Sequence, residues 1–248
     1  MDIDYAGVIR AEAGRIVAAY GRDSSARVPW SDRWTIGTVA RHVAGTHWVV
    51  GDIARGRPTA DFGLFATLKP PEKDAPDFSE WFADGTTHLL EELASAPGDD
   101  TCWTWCPSDQ SVSFWRRRMA HETLIHRWDA QAALGGDVDP IDSTVAADGI
   151  DEYLDIFVST SRAAAGAPAG PTIGIECTDV DAAWMLGLPE PGKSTLLRGR
   201  ASADVTMRAT ATELLLFAWG RLAASESAEI VEGSFESADM WTTFIPPT

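Results

Sequence analysis

The feature that most constrains the fold is a change of hydrophobic period near residue 166. Before this point, apolar residues recur at helical spacing in several stretches, beginning with residues 3–21. A segment rich in Gly, Ala and Pro follows at 166–171, and short apolar runs with strand-type residues come after it. This change predicts an α+β protein with a helical domain at 1–165 and a smaller mixed α/β domain at 171–248.

Stop signals between the periodic stretches predict where the elements begin and end. We expect five helices in the first part: residues 3–21, a second capped by Thr35, a third from Asp77 or Ser79, a fourth from Ser111 or Ser113 to about Leu134, and a fifth within 139–165. The segment 57–77 holds four prolines and predicts a long irregular connection. The second part should contain a helix capped by Thr210 or Thr212 and a last strand within 228–234.

Charge and cysteine content exclude several classes of function. The net charge of −17 argues against nucleic acid and against anionic membranes as partners. The sequence has neither an apolar run long enough to span a membrane nor an export signal, so we expect a cytoplasmic protein. Cys102 and Cys106 form a C-x3-C pair, either a redox or metal pair or two buried apolar thiols in a Trp-rich turn. The spacing favours buried thiols.

The stretch "RRRMAHETLIHRWDAQ", residues 116–131, carries the clearest candidate for chemistry. A helix turns about 100° per residue, so His121 and His126 point about 140° apart and cannot share one ion. The zinc-protease pattern H-E-x-x-H needs histidines four apart and is therefore excluded here. Glu122 and His126 are four apart, lie on one face, and can bind the same cation. The alternative is a polar pair on a solvated helix face.

A third metal ligand must come from elsewhere in the chain. The second helix offers His42 and His47, which are five residues apart, so that only one can face a given centre. Hydrophobic periodicity slightly favours His47, which lies in the apolar stripe of that helix. Three protein ligands with an open position are typical of catalytic zinc.

Three motifs together resemble the mycothiol-dependent maleylpyruvate isomerase family, whose N-terminal domain belongs to the DinB-like metal-binding helical bundles. They are "WTIGTVARHV" on the second helix, "WRRRMAHETLIHRWDA" on the fourth, and "TELLLFAWGRLA" near the C-terminus. The resemblance implies an N-terminal four-helix bundle and assigns the metal to His42, Glu122 and His126. It leaves His47 and His121 near the site or on the surface.

The resemblance also implies a function. It predicts a divalent metal, with zinc as the expected ion, and mycothiol as a thiol cosubstrate that adds to an electrophilic double bond, as in cis–trans isomerisation of maleylpyruvate. Two alternatives are a mycothiol S-transferase acting on electrophiles and a metal-binding protein without turnover. Partners would be a small-molecule substrate and the thiol, and the protein would be a monomer or homodimer. The active site is expected in a cleft between the two domains.

Four further sets of residues lie near these motifs, and each has an expected role. Arg221 is expected to bind substrate or thiol, the alternative being a charge that complements a helix end. Asp129 either orients a metal ligand or is a plain exposed carboxylate. The run at 116–118 covers about 200° of helix surface, so a mostly solvated role is expected. The tryptophans around the fourth helix are expected to pack in the core.

Overall fold

A computed structural model describes residues 3–72, 74–223 and 229–232 of this chain. The chain divides into two compact units, Met1–Asp139 and Pro140–Thr248. The first is helical and the second combines helices with a sheet, which confirms the predicted α+β class. Within the described ranges, no helix is both long and apolar enough to cross a lipid bilayer.

Four helices pack against one another in the first unit. They are α1, Tyr5–Asp23; α2, Ile36–Gly56; α3, Phe78–Ala94; and α4, Val112–Ala132. Thr35 caps α2 by accepting from the Thr38 amide, and Ser111 caps α4 by accepting from the Phe114 amide. Both caps agree with the sequence prediction, and they fix where the two site-bearing helices begin.

The proline-containing connection between α2 and α3 is mostly irregular, as predicted. It contains two short 3₁₀ segments, Arg57–Thr59 and Phe62–Ala66. Phe62 packs edge-on against the Trp103 ring with centroids 5.1 Å apart, whereas Phe65 stays 42% exposed. The Phe62 contact therefore attaches this part of the connection to the bundle, whereas Phe65 presents an apolar side chain to solvent.

A five-stranded sheet forms the centre of the second unit, in the order β3-β2-β1-β4-β5. The strands are β1, Ile173–Cys177; β2, Ala183–Gly187; β3, Thr195–Arg198; β4, Val205–Ala209; and β5, Glu229–Glu232. All pairings are antiparallel except β1 with β4. Helix α7, Ala211–Ala218, follows β4 and starts with a capping box in which Thr210 and Glu213 satisfy each other's amides. The predicted C-terminal helix and last strand are thus both present.

The second unit begins earlier than the predicted boundary at 165–171. Helix α5, Ser143–Glu152, continues through a π-helical segment, Tyr153–Val158, into α6, Ser159–Ala165, and α5 packs against α7. The fully buried Arg162 donates to the main-chain carbonyls of Pro168, Glu190 and Lys193. These contacts join the last predicted helix to the sheet unit, so that the change of composition marks the start of the sheet and not the start of the unit.

Candidate metal centre

Side chains from two facing helices of the bundle form the candidate site. His42 comes from α2, while Glu122 and His126 come from successive turns of α4. Glu122 Oε1 lies 2.8 Å from His42 Nε2 and 3.3 Å from His126 Nε2. One ligand atom from each residue lies within 4.8 Å of the other two, and the described part of the chain holds no second group of this kind. The structure therefore brings together the trio that the family resemblance implies.

The donor set suits a divalent cation such as zinc, which is bound by imidazole nitrogen and carboxylate oxygen at about 2.0–2.2 Å. The Nδ1–H of His126 donates to Asp129 Oδ2 at 2.9 Å, and Asp129 is only 2% exposed. This bond holds the Nδ1 proton and turns Nε2 toward Glu122. A buried carboxylate that orients a histidine in this way is the usual support for a metal ligand. Of the two interpretations of Asp129, the orienting role matches the structure.

The site is strongly coupled electrostatically. Burial alone would lower the pKa of His126, but the carboxylates of Glu122 and Asp129 outweigh burial and raise it to about 9. Burial alone would raise the pKa of Glu122, but His126, His42 and Arg118 together hold it well below its ordinary value. Without a cation, His126 is therefore protonated at neutral pH on Nε2 as well as on Nδ1, and a metal would have to displace the Nε2 proton that faces Glu122.

Access to the site is from the side of His42. The His42 side chain is 41% exposed, compared with 18% for Glu122 and 11% for His126. The Trp34 ring stacks on His126 at a centroid distance of 5.6 Å and meets His42 edge-on at 5.2 Å. Trp34 therefore covers the deep imidazole while the outer one remains open to a small molecule. The sequence suggested Trp34 only as the start of a motif and not as a wall of the site.

His47 lies in the core of the bundle and takes no part in the trio. It is fully buried, with Nδ1 3.0 Å from the Thr86 hydroxyl and Nε2 2.9 Å from the Thr123 hydroxyl. Burial lowers the pKa of His47 to about 3, so this side chain is neutral. The apolar stripe correctly indicated that the His47 side chain points into the bundle. There it connects α2 to α3 and α4 through hydrogen bonds to the two threonine hydroxyls. The periodicity argument for His47 as the third member of the trio is not supported by this geometry.

The arginine run and His121 differ from expectation. Arg118 is 2% exposed, and its Nη2 contacts Glu122 Oε2 at 3.3 Å. Arg116 donates to the carbonyls of Leu93 and Ala96, so that it ties α4 to the end of α3. The prediction of a mainly solvated run is wrong for these two residues. The spacing of Arg118, four residues before Glu122 on the same helix, could have indicated the contact between them.

His121 is also buried, and its ring meets Tyr5 edge-on at 6.2 Å.

The two neighbouring cysteines are buried free thiols. Cys102 is 0% exposed and Cys106 is 4% exposed. Burial raises the pKa of the Cys102 thiol, which makes it a poor nucleophile at neutral pH. The interpretation as packed apolar cysteines agrees with the structure.

Arg221 follows α7 in the second unit. Gly220 before it has φ of 69°, and Arg221 Nη1 donates to the Trp219 carbonyl at 2.6 Å. The left-handed glycine ends the helix and sets the direction in which the chain leaves it. The predicted role of Arg221 in binding substrate or thiol stays a prediction.

The fold and the site together define a two-unit α+β protein whose helical bundle carries a candidate metal centre. The sequence profile of the mycothiol maleylpyruvate isomerase N-terminal domain matches residues 7–131, and that of the MDMPI C-terminal domain matches residues 144–236. The chain belongs to the mycothiol maleylpyruvate isomerase family. A search of curated proteins finds no match.

Two solved structures resemble the whole chain. One is a mycothiol-dependent maleylpyruvate isomerase, with a TM-score of 0.61 and 13% sequence identity. The other is a mutant of a mycothiol-dependent maleylpyruvate isomerase in which a histidine is replaced by alanine, with a TM-score of 0.61 and 12% identity. Each match covers 93% of this chain and 93% of the other. At these identities the likeness shows a common fold.

Proposed function

We propose that this protein is a metal-dependent enzyme that uses mycothiol to isomerise a small unsaturated dicarboxylate of the maleylpyruvate type. The observation that carries the proposal is the His42–Glu122–His126 group in a chain of this family. The similar solved structures are mycothiol-dependent isomerases of maleylpyruvate by name, which supports the choice of thiol and substrate. A cytoplasmic location fits a protein whose three cysteines are free.

The chain's own residues prepare the site for this chemistry. A zinc ion held by His42, Glu122 and His126 would lower the pKa of a thiol at the open position, so that the thiolate forms at neutral pH. Asp129 keeps the Nδ1 proton of His126 and fixes the ring, while Arg118 holds the second carboxylate oxygen of Glu122. Trp34 shields the inner side of the group from water.

The isomerisation involves no net oxidation or reduction and no net gain or loss of a proton. The thiolate sulfur bonds to one carbon of the cis double bond, and the π electrons move onto the conjugated carbonyl oxygen. The former double bond is now single and rotates. The enolate electrons then return, the carbon–sulfur bond breaks, and the trans product and the thiolate leave. The thiol is therefore a catalyst and is recovered unchanged.

Recovery of the thiol distinguishes this reaction from thiol transfer. With zinc-loaded protein and mycothiol at one-tenth of the maleylpyruvate concentration, we expect complete conversion to the trans isomer and no loss of free thiol. The measurement follows the substrate by absorbance and the thiol by titration. An S-transferase would instead consume one mycothiol for each substrate molecule converted, so that conversion would stop when the mycothiol is used up. Zinc binding with no conversion and no thiol consumption would contradict the enzyme proposal.

Arg221 is proposed to bind a carboxylate of the substrate or the thiol. A charged hydrogen bond of about 1.5–3 kcal/mol would be lost in Arg221→Ala, so kcat/KM should fall roughly 10- to 150-fold at unchanged zinc content. Arg221→Lys should restore only part, because an ammonium group cannot form the two parallel bonds of a guanidinium. Unchanged kcat/KM would leave Arg221 a helix-end charge, and loss of zinc would point to a structural role.

A further inference from the structure

A cavity opens beside the candidate metal centre, on the exposed side of His42. It has a volume of about 510 Å³, and its walls come from the residues just before α2, from α2 itself and from the connection after it. The apolar part of the wall includes Trp34, Phe65 and Leu68, and the polar part includes Thr38 and Arg41. An open cavity of this size can accommodate a small organic molecule beside the candidate metal centre.

Among the described residues that line this wall, Arg41 is the one positively charged residue, and its charge is not paired with a carboxylate. It is half-buried, and Nη1 donates to the Pro71 carbonyl at 3.0 Å. That bond fixes the guanidinium against the connection that forms the opposite wall. Most of the other bonded arginines contact a carboxylate, as Arg118 contacts Glu122 and Arg208 contacts Glu176. Across residues 3–72, 74–223 and 229–232, Arg41 has no carboxylate partner.

The isolation of Arg41 is informative because the protein carries 37 acidic and only 20 basic residues. Although carboxylates are abundant in the chain, none in its described part pairs with this arginine. Its fixed guanidinium beside the cavity can therefore bind the carboxylate of a ligand. The apolar wall suits a carbon skeleton, and the Thr38 hydroxyl adds a donor. We infer that this cavity binds a small organic carboxylate and that Arg41 is the positioning residue that holds its carboxylate next to the metal centre.

This inference deepens the proposed function, on which it rests for the identity of the anion as the isomerisation substrate. Binding of the carboxylate itself does not depend on turnover. A non-reacting dicarboxylate such as maleate can therefore test the cavity separately from the reaction.

The experiment measures maleate binding to zinc-loaded protein by calorimetry, with zinc content and circular dichroism recorded for each variant. Arg41→Gln removes the charge but keeps an amide that can donate to the Pro71 carbonyl. Arg10→Gln makes the same charge change on the exposed face of α1 and is the matched control. We expect maleate affinity to fall about 10- to 100-fold in Arg41→Gln, to stay within about twofold in Arg10→Gln, and to be partly restored in Arg41→Lys.

Equal affinity in wild type and Arg41→Gln, or no maleate binding to wild type, would overturn the inference. An equal fall in Arg10→Gln would also overturn it, because net charge alone would then explain the effect. If maleate binds through Arg41 but no isomerisation occurs with mycothiol, the carboxylate site stands and the proposed reaction is wrong. In an active enzyme, Arg41→Gln should raise KM for maleylpyruvate more than it lowers kcat.

Discussion

Replacing His42 with alanine is expected to remove the bound divalent metal and leave the bundle folded. His42 supplies one of three ligand atoms, and two ligands on one helix hold zinc far less tightly than three. Its side chain is 41% exposed, so that little packing is lost with it. After zinc loading and dialysis, the metal-to-protein ratio should be about one in wild type and near zero in His42→Ala. Elemental analysis gives the ratio, and circular dichroism reports the fold.

His88 provides the matched control for this substitution. It lies on α3 among Asp52, Arg55 and Glu92, outside the trio, and His88→Ala should keep its full metal content. His47→Gln tests the competing assignment from periodicity. It should weaken the core but still bind zinc. Full metal in His42→Ala together with lost metal in His47→Gln would show that the assignment to His42 is wrong.

Glu12→Gln is expected to lower the free energy of unfolding by about 3–5 kcal/mol. Glu12 on α1 accepts from Nε of Arg127 on α4 at 2.5 Å, and the Arg127 side chain is 0% exposed. Removing the Glu12 charge leaves the buried Arg127 guanidinium with only neutral hydrogen-bond acceptors, Gln131 Oε1 and the Asp139 carbonyl, in a medium that solvates its charge poorly. Urea unfolding of the variant and wild type, at matched metal content, gives the difference.

Arg15 offers a control on the same carboxylate. It also contacts Glu12, at 2.6 Å, but its own side chain is 41% exposed. Solvent screens such a pair, so Arg15→Ala should change the free energy of unfolding by less than about 1 kcal/mol. If Glu12→Gln is as mild as Arg15→Ala, the buried pair does not stabilise the contact between α1 and α4 in the way that its burial indicates.

The sequence could predict what depends on local spacing. Thr35 and Ser111 cap their helices because a hydroxyl at that position satisfies a free amide, a rule that needs no tertiary information. The pairing of Glu122 with His126 follows from the turn of one helix in the same way. The helices of the first unit and two of the three site residues were therefore predictable from local spacing alone.

The choice between His42 and His47 could not be made by spacing. Most of α2 is buried, so that two directions 140° apart both meet other helices. Which direction leads to Glu122 depends on how α2 is rotated against α4, and this rotation is a property of the packed bundle. Only the resemblance to the family motif indicated His42 and not His47.

Buried charges were the other features that the sequence did not predict. Glu12 and Arg127 are 115 residues apart, and nothing in the pattern around either one indicates a buried partner. The sequence around Arg41 likewise does not indicate that this arginine has no carboxylate partner among the described residues of the folded protein. Packing of α5 on α7 likewise depends on contacts across the chain, so a change of composition placed the unit boundary too late.

The measurement that tests the central claim most directly is thiol-dependent isomerisation before and after removal of the metal. Wild-type protein is stripped with a chelator, assayed with maleylpyruvate and a tenth as much mycothiol, and assayed again after one equivalent of zinc is restored. A metal centre at His42, Glu122 and His126 predicts that turnover falls to the uncatalysed rate on stripping and returns with zinc, while His42→Ala stays inactive throughout. Turnover that continues undiminished in the stripped protein, or in His42→Ala, would contradict it.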